Sequence, residues 1–512
     1  MVRVGIDDIA VYFPKLHFEI EAFSKFRGLE FNKLNKGLGL TSMAIPDAHE
    51  DTATMGANAC VRLIDRNKLS PKTIGRIYLG TESALDGAKP TSTYIIDMLE
   101  QKYAAEYGKG CFSHCDVVDL NFACIGGVDA MHNTLDWVAR GGLEENRLGI
   151  VVFSDNAKYD LNSSGEYTQG AGAGALLISH QPRLIQIPDT WGVSTLPVHD
   201  FFKPKREIQL KTLIQDFLDL AEEAGLQKTE GLTEKIIDLI PSSSKKDHLL
   251  FESNSVKIHK ETPVFDGQFS NRCYTDAVKS AFVNFRAEAI RNSRYNPQKD
   301  AAITEQWSRI VVHLPYAFQG KRMLPDVFFL DRNNTPEWDE VLSEIGAYPL
   351  AEQFESAEHF EKAKEHYRRV ISKTDMYKAF VALKIEKTQR ASSLVGNQYT
   401  GSIFLALMST LEADLTEQSP LNGSHIGFCA YGSGAKAKVF EGIMQKGWEA
   451  VVKKFDLFPR LKQRYAIDAK TYEALHRGTQ KTSVLKPSAE FVLKTVGGPN
   501  VLEGHRKYTW ID

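Results

Sequence analysis

Residues 117–138 read VVDLNFACIGGVDAMHNTLDWV, a sequence with a strand signal followed by a helix signal. A short β-rich run ends at Cys124, two glycines follow, and an amphipathic helical pattern continues to Val138. Four similar runs occur along the chain: IGRIYLGTES (74–83), NRLGIVVFSD (146–155), WSRIVVHLPY (307–316) and HIGFCAYGSG (425–434). Buried strands that alternate with helical patterns predict an α/β protein whose helices cover its sheets.

The second half of the chain repeats the order of the first. In each half a strand ends at a polar residue, a small-residue turn opens a helix, and another strand ends at a polar residue. These positions are Glu82, Cys124 and Asp155 in the first half, and His313, Asn397 and Ser433 in the second. The stretch LVGNQYTGSIFLALMSTL (394–411) resembles residues 121–138 in this respect. We expect two related halves with a site where their strand ends converge.

The chain is long enough for several subdomains, since it has 512 residues. We expect a first half (1–185), a connection that contains Asp200 (186–204), a helical insertion (205–262) and a second half (263–512). Within the insertion, EIQLKTLIQDFLDLAEEAG (207–225) and LTEKIIDLIP (232–241) predict helices, the second ended by Pro241, and SSSKKD (242–247) predicts a solvated loop. The apolar stripe of the first helix either packs on the rest of the chain or marks a partner contact.

Composition excludes several classes of function. A net charge of −3 gives no global attraction to nucleic acid or to an anionic membrane. No apolar run reaches the roughly 20 residues of a membrane-spanning helix. The N-terminus carries Asp7 and Asp8 where a secretory signal needs an apolar core, so it predicts a first β-strand. The six scattered cysteines then indicate reduced thiols and a cytoplasmic protein.

One cysteine pair resembles half of a metal site. Cys111 and Cys115 flank His114 in a C-x3-C spacing. Because no second pair with ligand spacing follows, we expect no metal.

Cys124 and Glu82 are the strongest chemical candidates. A thiol at a helix N-terminus lies near the positive end of the peptide dipoles, which favours the reactive thiolate. A carboxylate at an apolar strand end is partly desolvated and suited to proton transfer. Each residue also has an inert interpretation, a buried structural cysteine and a surface or N-cap carboxylate.

His313, Asn397 and Ser433 are weak signals when each is taken alone. A histidine that follows an apolar strand is usually a satisfied core residue. The turn Tyr431–Gly434 is glycine-rich, so it either only reverses the chain or presents backbone N–H groups to an oxyanion.

Together these residues form a recognisable pattern. From residue 1 to about 510, apart from 205–262, the chain resembles the 3-hydroxy-3-methylglutaryl-CoA (HMG-CoA) synthase family. The resemblance is carried by nine blocks in order: GTESALD (80–86), NFACIGG (121–127), SDNAKYDLNSSGEYTQGAGA (154–173), VHDFFKP (198–204), PVFDGQFS (263–270), VVHLPY (311–316), VGNQYTGS (395–402), AYGSG (430–434) and VLEGHRKYTW (501–510).

The resemblance implies a thiolase-like fold of two duplicated βαβαβ-type halves in α-β-α-β-α layers, usually as a homodimer. It implies that Cys124 takes an acetyl group from acetyl-CoA and that Glu82 removes a methyl proton and later acts as an acid. His313 would position the carbonyl of acetoacetyl-CoA. No cofactor is implied beyond these CoA thioester substrates.

The resemblance also implies supporting roles for further residues. Asn397 and Ser433 would hold acyl oxygens, with the backbone N–H groups of Cys124 and Ser433 as an oxyanion hole. Further active-site positions of the family match Asp86, Asp155, Tyr159, Thr168 and Asp200.

Two departures from the family pattern bear on CoA binding. Phe318 stands where the family often has a lysine, and Ile125 replaces a tyrosine that commonly follows the nucleophile. Lys321 and Arg322 follow Phe318 closely and would supply a cationic contact to CoA phosphates.

Three rival functions remain. A polyketide branching synthase of the same family would use an acyl chain on an acyl carrier protein, which suits the altered entrance and the insertion. Ketoacyl synthases share the fold but lack a base like Glu82. A silent scaffold would not need Glu82, Cys124 and His313 together.

Overall fold

The computed structural model describes residues 3–141, 148–226, 231–239, 255–498 and 503–512. The chain divides into two compact units, one formed by residues 1–200 and 266–512 and the other by residues 201–265. The predicted loop 242–247 and Pro241 lie outside the described residues.

The described strands are short to medium in length and most are buried. In chain order they are β1 (Val4–Tyr12), β2 (Leu16–Glu19), β3 (Ser42–Ile45), β4 (Ile74–Gly80), β5 (Asp116–Leu120), β6 (Leu148–Ala157), β7 (Gly170–His180), β8 (Ile185–Gln186), β9 (Trp191–Thr195), β10 (Phe201–Phe202), β11 (Lys205–Gln209), β12 (Ser255–His259), β13 (Val264–Phe265), β14 (Trp307–Val312), β15 (His425–Gly432), β16 (Lys436–Met444), β17 (Tyr465–Ala466), β18 (Glu490–Val496) and β19 (Arg506–Ile511).

The described α-helices alternate with these strands. They are α1 (Ile20–Arg27), α2 (Thr52–Asn67), α3 (Thr91–Tyr107), α4 (Gly126–Ala139), α5 (Leu210–Glu223), α6 (Leu232–Leu239), α7 (Gly267–Arg291), α8 (Ile303–Gln306), α9 (Gln319–Met323), α10 (Pro325–Arg332), α11 (Trp338–Ile345), α12 (Ala357–Ile371), α13 (Asp375–Lys384), α14 (Gln389–Val395), α15 (Ser402–Thr416), α16 (Trp448–Val452), α17 (Leu457–Lys462) and α18 (Ala469–His476). A π-helical turn covers Lys33–Gly37, and a 3-10 turn, Tyr399–Gly401, precedes α15.

A ten-stranded mixed sheet organises the larger unit. Its order is β14-β15-β16-β8-β1-β7-β6-β4-β5, and β9 also pairs with β16. In the first half β4 and β6 are parallel and β7 is antiparallel to β6. In the second half β14 and β15 are parallel and β16 is antiparallel to β15. This repeated pattern confirms the predicted α/β fold of two related halves.

Helix α4 packs against the 3-10 turn Tyr399–Gly401, which opens α15. Phe153 of β6 stacks on Phe404 of α15 with ring centroids 5.1 Å apart, and both side chains are buried. The backbones approach closely, because a Cβ on Gly127 would lie 2.8 Å from the Thr400 carbonyl oxygen. The turns before both helices are thereby brought together.

The end of the chain returns to the first half. The β18–β19 hairpin packs on α2 and α3, and Phe491 and Tyr508 join the hydrophobic core formed with those helices. This hairpin, which lies within the range 263–512, therefore packs on helices of the first half.

The smaller unit contains the predicted insertion. The pair β10–β13 lies at its ends, and β11 and β12 form an antiparallel hairpin. Residues 205–209 are thus a strand, which the sequence analysis missed, and the first helix begins at Leu210 rather than at Glu207. Helix α5 exposes Phe217 and Leu220.

Within the described ranges, no helix combines the length and the apolar character needed to cross a membrane.

Candidate active site

Cys124 lies in a tight turn between β5 and α4. Ala123 adopts a positive φ of 38°, and the N–H of Ile125 donates to the Phe122 carbonyl oxygen at 3.1 Å. The helix begins at Gly126, two residues later than the sequence predicted. The half-buried Cys124 thiol therefore precedes the positive end of the α4 dipole. A left-handed alanine is a strained conformation of the kind that clusters at functional sites.

Glu82 lies beside this thiol. The Cys124 Sγ is 3.1 Å from Glu82 Oε1, so the two predicted groups are in hydrogen-bond contact. Two glycines permit this approach, because a Cβ on Gly80 would lie 2.2 Å from the Gly127 nitrogen. The glycines after Cys124 thus serve the packing of α4 on the end of β4.

Asp155 anchors the Glu82 loop. This fully buried carboxylate accepts hydrogen bonds through Oδ1 from the Glu82 N–H and the Thr81 hydroxyl, both at 2.9 Å. Its Oδ2 accepts from the Thr400 N–H at 3.1 Å and contacts the Thr400 hydroxyl. Asp155 therefore ties the first-half loop to the turn before α15, and its direct contact with substrate stays a prediction.

Tyr159, Thr168 and Asn397 meet in one group. The side chains of Asn397 and Thr168 hydrogen-bond to the Tyr159 hydroxyl. Burial raises the pKa of Tyr159 above its ordinary value, and the nearby charges of Cys124 and Glu82 raise it further. The Asn397 Oδ1 also accepts from the Tyr399 N–H at 2.8 Å. A neutral phenol is thus held close to the Cys124–Glu82 pair.

A buried network fixes the segment that carries Tyr159 and Thr168. Arg27 Nη2 lies 2.6 Å from Glu166 Oε1, and the Tyr472 hydroxyl donates to the same oxygen at 2.9 Å. Gln169 donates to the Tyr472 hydroxyl and accepts from the Tyr159 N–H. The sequence analysis missed this network because its members lie far apart in the chain.

His313 follows β14 and is buried. Its backbone N–H donates to the Cys429 carbonyl oxygen at 3.0 Å, and its carbonyl oxygen accepts from the Tyr274 hydroxyl at 2.9 Å. Burial lowers the pKa of the imidazole to about 3, so the ring is neutral at physiological pH. Burial raises the pKa of Tyr274, and neighbouring charges, among them that of Cys124, raise it further. This tyrosine therefore lies close to the thiol.

Asp200 supports the turn that contains Ser433. Its Oδ2 accepts from the Tyr431 hydroxyl at 2.6 Å and its Oδ1 accepts from the Gly434 N–H at 2.8 Å. The turn abuts Cys124, because a Cβ on Gly432 would lie 2.8 Å from the Ile125 nitrogen. Ile125 itself is fully buried and packs there. The structure thus brings the Ser433 turn to the nucleophile turn.

Lys321 and Arg322 lie on α9, beside residues 37–39. The Lys321 Nζ lies 3.2 Å from the centroid of the Phe318 ring, and Arg322 donates to the Gly37 carbonyl oxygen at 2.7 Å. The Phe318 ring packs against Gly39, where a Cβ would lie 2.6 Å from it. Phe318 therefore positions the half-buried Lys321.

Asp86 lies in an exposed turn before α3. Its Oδ1 accepts from the N–H groups of Ala88 and Lys89, both at 2.7 Å, and these bonds lower the pKa of the carboxyl. Within the described ranges, the hydrogen bonds of Asp86 stay in this turn and do not extend to Cys124. Its role in the site stays a prediction.

Two groups of potential metal ligands lie outside this centre. The Cys111 thiol contacts Glu100 Oε2 at 3.5 Å. His49, Glu50 and Glu490 have ligand atoms within 4.8 Å of one another. The Tyr12 hydroxyl lies within 2.7 Å of both glutamates, and Lys15 is 2.6 Å from Glu490. These contacts make the second group a buried link between β1 and β18.

The sequence analysis missed three residues that build the centre. Thr81, Thr400 and Ser402 lie within quoted blocks, but a threonine or serine gives no distinctive signal alone. Thr400 and Ser402 had one signal, which was their position. They lie where α15 opens, and this place corresponds to that of Cys124 before α4.

Comparisons with known proteins agree with this geometry. Residues 2–182 match the family model "Hydroxymethylglutaryl-coenzyme A synthase N terminal", and residues 251–491 match the corresponding C-terminal model. The chain belongs to the hydroxymethylglutaryl-CoA synthase family. A hydroxymethylglutaryl-CoA synthase of Haloferax volcanii is 29% identical, over 100% of both chains. The chain is therefore an acyl-condensing enzyme that forms a carbon–carbon bond.

Two solved structures share the thiolase-like fold of this family. MvaS in complex with 3-hydroxy-3-methylglutaryl coenzyme A has a TM-score of 0.74 at 24% identity, over 100% of both chains. The HMG synthase of the curacin biosynthetic pathway, in complex with apo donor-ACP, has a TM-score of 0.69 at 18% identity, over 99% of this chain and 100% of that one. The predicted fold is confirmed.

Proposed function

We propose that this enzyme condenses acetyl-CoA with acetoacetyl-CoA to give HMG-CoA, the product that feeds the mevalonate route to isoprenoid precursors. The observation that carries the proposal is the contact of 3.1 Å between Cys124 Sγ and Glu82 Oε1. A nucleophile and a base in one contact can act in turn on one acetyl group.

The first half-reaction acetylates Cys124. The thiolate attacks the acetyl-CoA carbonyl, the carbon–sulfur bond to CoA breaks, and CoA leaves with a proton. The negative oxygen of this step needs donors, and each such donor is worth on the order of 3 kcal/mol. The turns at Cys124 and Ser433, which lie against each other, are the proposed source of these N–H groups.

The second half-reaction forms the carbon–carbon bond. Glu82 takes a proton from the acetyl methyl group, and the resulting carbanion attacks the ketone carbon of acetoacetyl-CoA. The ketone oxygen becomes an alkoxide and receives the proton from Glu82. Water then hydrolyses the thioester at Cys124, which frees HMG-CoA and restores the thiol.

The surrounding residues support this sequence of steps. Asp155 holds the backbone of Glu82, and Asn397 and Thr168 hold the Tyr159 hydroxyl beside the reacting pair. Lys321 and Arg322 are the proposed contacts for CoA phosphates. No metal or bound cofactor is proposed, because both acyl groups arrive already activated as thioesters.

A homodimer in the cytoplasm is the proposed working form. β5 ends the sheet order, and no described strand pairs with its outer edge, which leaves that edge for the same strand of a second copy. All six cysteines are thiols rather than disulfides, which suits a reducing compartment. Light scattering that gives twice the chain mass of 57.3 kDa would support the dimer, and the chain mass itself would contradict it.

A carrier-protein substrate is the second candidate. The observation in its favour is Phe318 at the position of the common family lysine, with Lys321 placed over its ring. The curacin enzyme, which resembles this fold, was solved with a donor carrier protein.

One assay distinguishes the two candidates. The enzyme is given acetyl-CoA together with either acetoacetyl-CoA or an acetoacetyl carrier protein, and products are identified by mass spectrometry. We expect HMG-CoA from the free thioester. Turnover of the carrier-bound chain alone would favour the second candidate, and no product from either would contradict both.

A further inference from the structure

The hydroxyl of Ser402 contacts the ring of His313. Ser402 is the first residue of α15 and is buried. Its Oγ is in hydrogen-bond contact with His313 Nδ1, and it accepts from the Leu314 N–H at 3.2 Å. A backbone N–H can only donate, so Leu314 occupies a lone pair of this oxygen.

The contacts of the hydroxyl decide where its proton points. Among the described residues, His313 Nδ1 is the one acceptor in contact with Ser402 Oγ. If Nδ1 carried the ring proton instead, the hydroxyl would accept twice and its own proton would be buried without an acceptor, which is costly. The serine therefore donates to Nδ1.

The charge of the ring fixes the other nitrogen. Burial lowers the pKa of His313 to about 3. A neutral imidazole carries one proton, so a ring that accepts at Nδ1 carries it on Nε2. His313 Nε2 is buried and has no hydrogen-bond partner among the described residues.

We propose that Ser402 is a positioning residue that holds His313 as the Nε2–H tautomer, so that this N–H donates to the ketone oxygen of the acceptor. The hydrogen bond to the ketone oxygen rests on the proposed condensation. As the carbanion attacks the ketone carbon, negative charge builds on that oxygen and strengthens the hydrogen bond from Nε2. The proton stays on Nε2, since Glu82 supplies the proton of the product hydroxyl.

The kinetic test replaces Ser402 and a matched serine. Ser402→Ala removes the donor to Nδ1, and Ser409→Ala removes another buried hydroxyl of α15, which bonds to the Lys387 carbonyl oxygen at 2.7 Å. We expect Ser402→Ala to slow condensation by about tenfold to a hundredfold, because a wrongly oriented or wrongly protonated imidazole is a poor donor. Acetylation of Cys124 should stay within about twofold, and Ser409→Ala should slow neither step by more than about twofold.

The spectroscopic test reads the tautomer without substrate. Nitrogen-15 NMR of histidine-labelled enzyme, with His313 assigned by its loss in His313→Gln, should show an unprotonated Nδ1 and a protonated Nε2. Ser402→Ala should change this pattern, whereas Ser409→Ala should leave it unchanged. A proton on Nδ1 in the wild-type enzyme would overturn the proposal, even if Ser402→Ala is slow.

The two tests separate this inference from the proposed function. Wild-type enzyme that does not transfer acetyl to Cys124 would refute the condensation while the NMR result still decides the tautomer. Equal slowing of acetylation and condensation in Ser402→Ala would show a general structural defect and would overturn the positioning role.

Discussion

The strand ends at Glu82 and His313 occupy equivalent places in the two halves, yet their surroundings differ. Glu82 is half-buried, contacts the Cys124 thiol and is held through its backbone by a buried carboxylate, Asp155. His313 is almost fully buried, neutral, and held through its ring by a hydroxyl, Ser402. The two groups share their place in the repeated fold, but they differ in burial and in the residue that holds them. One half therefore carries the nucleophile and the proposed base, and the other carries a neutral hydrogen-bond donor.

The largest expected effect comes from removing the nucleophile. Cys124→Ser should lower both acetylation and condensation by about 10⁴-fold or more. A serine hydroxyl is far less acidic than a thiol, so it does not form the anionic nucleophile. Radiolabelled acetyl-CoA and peptide mass spectrometry measure the first step. Acetyl transfer to another residue at the wild-type rate would remove Cys124 from the account.

Removing the base should divide the two steps. Glu82→Ala is expected to leave acetylation within about threefold of wild type and to slow condensation by about 10²- to 10⁴-fold, the range of general acid–base catalysis. Rapid-quench measurements with each substrate separate the steps. If both steps fall equally, the role assigned to Glu82 is wrong.

A smaller effect should follow from loosening the anchor of Glu82. Thr400→Val removes the hydroxyl that contacts Asp155 and lies 2.9 Å from the Gly80 carbonyl oxygen. A small displacement of Glu82 should slow condensation by about tenfold. Thr410→Val is the matched control, since its hydroxyl donates to the Ala406 carbonyl oxygen within α15. Similar losses in both variants would contradict a specific role for Thr400.

The smallest expected effect is that of pH on the protonation of the His313 ring. Its pKa falls from 6.5 to about 3 on burial, so NMR should show a neutral ring from pH 8 to about pH 5. The unfolded chain binds this proton near pH 6.5, so His313 contributes stability above that pH that is lost as pH falls toward 3. If the His313 ring of the folded enzyme titrated with a midpoint near pH 6.5, the contrast with Glu82 would be lost.

Much of the fold could be predicted from sequence, because its signals are local. The apolar runs before Glu82, Cys124 and His313 are observed as β4, β5 and β14, and the repeated order of polar residues confirmed two related halves. The strand at 205–209 was missed because its charged and polar residues lack a buried face.

The sequence predicted part of the chemistry of the site, from the order of its polar residues and from its motifs. The contact between Cys124 and Glu82 was expected, and the structure shows it. The anchors were not expected, since Asp155–Thr400 and His313–Ser402 join residues 245 and 89 positions apart in the chain. Such pairs depend on how the start of α15 packs on the ends of β6 and β14, which local periodicity does not specify.

The most direct test of the proposed roles is acetyl transfer in a variant of His313, which lies in the second half. His313→Gln enzyme is mixed with labelled acetyl-CoA, the Cys124 peptide is quantified, and acetoacetyl-CoA is then added. We predict one acetyl group per chain at close to the wild-type rate, followed by almost no labelled HMG-CoA. Loss of acetylation in parallel with condensation would contradict the claim that His313 acts in the condensation step and not in acetylation.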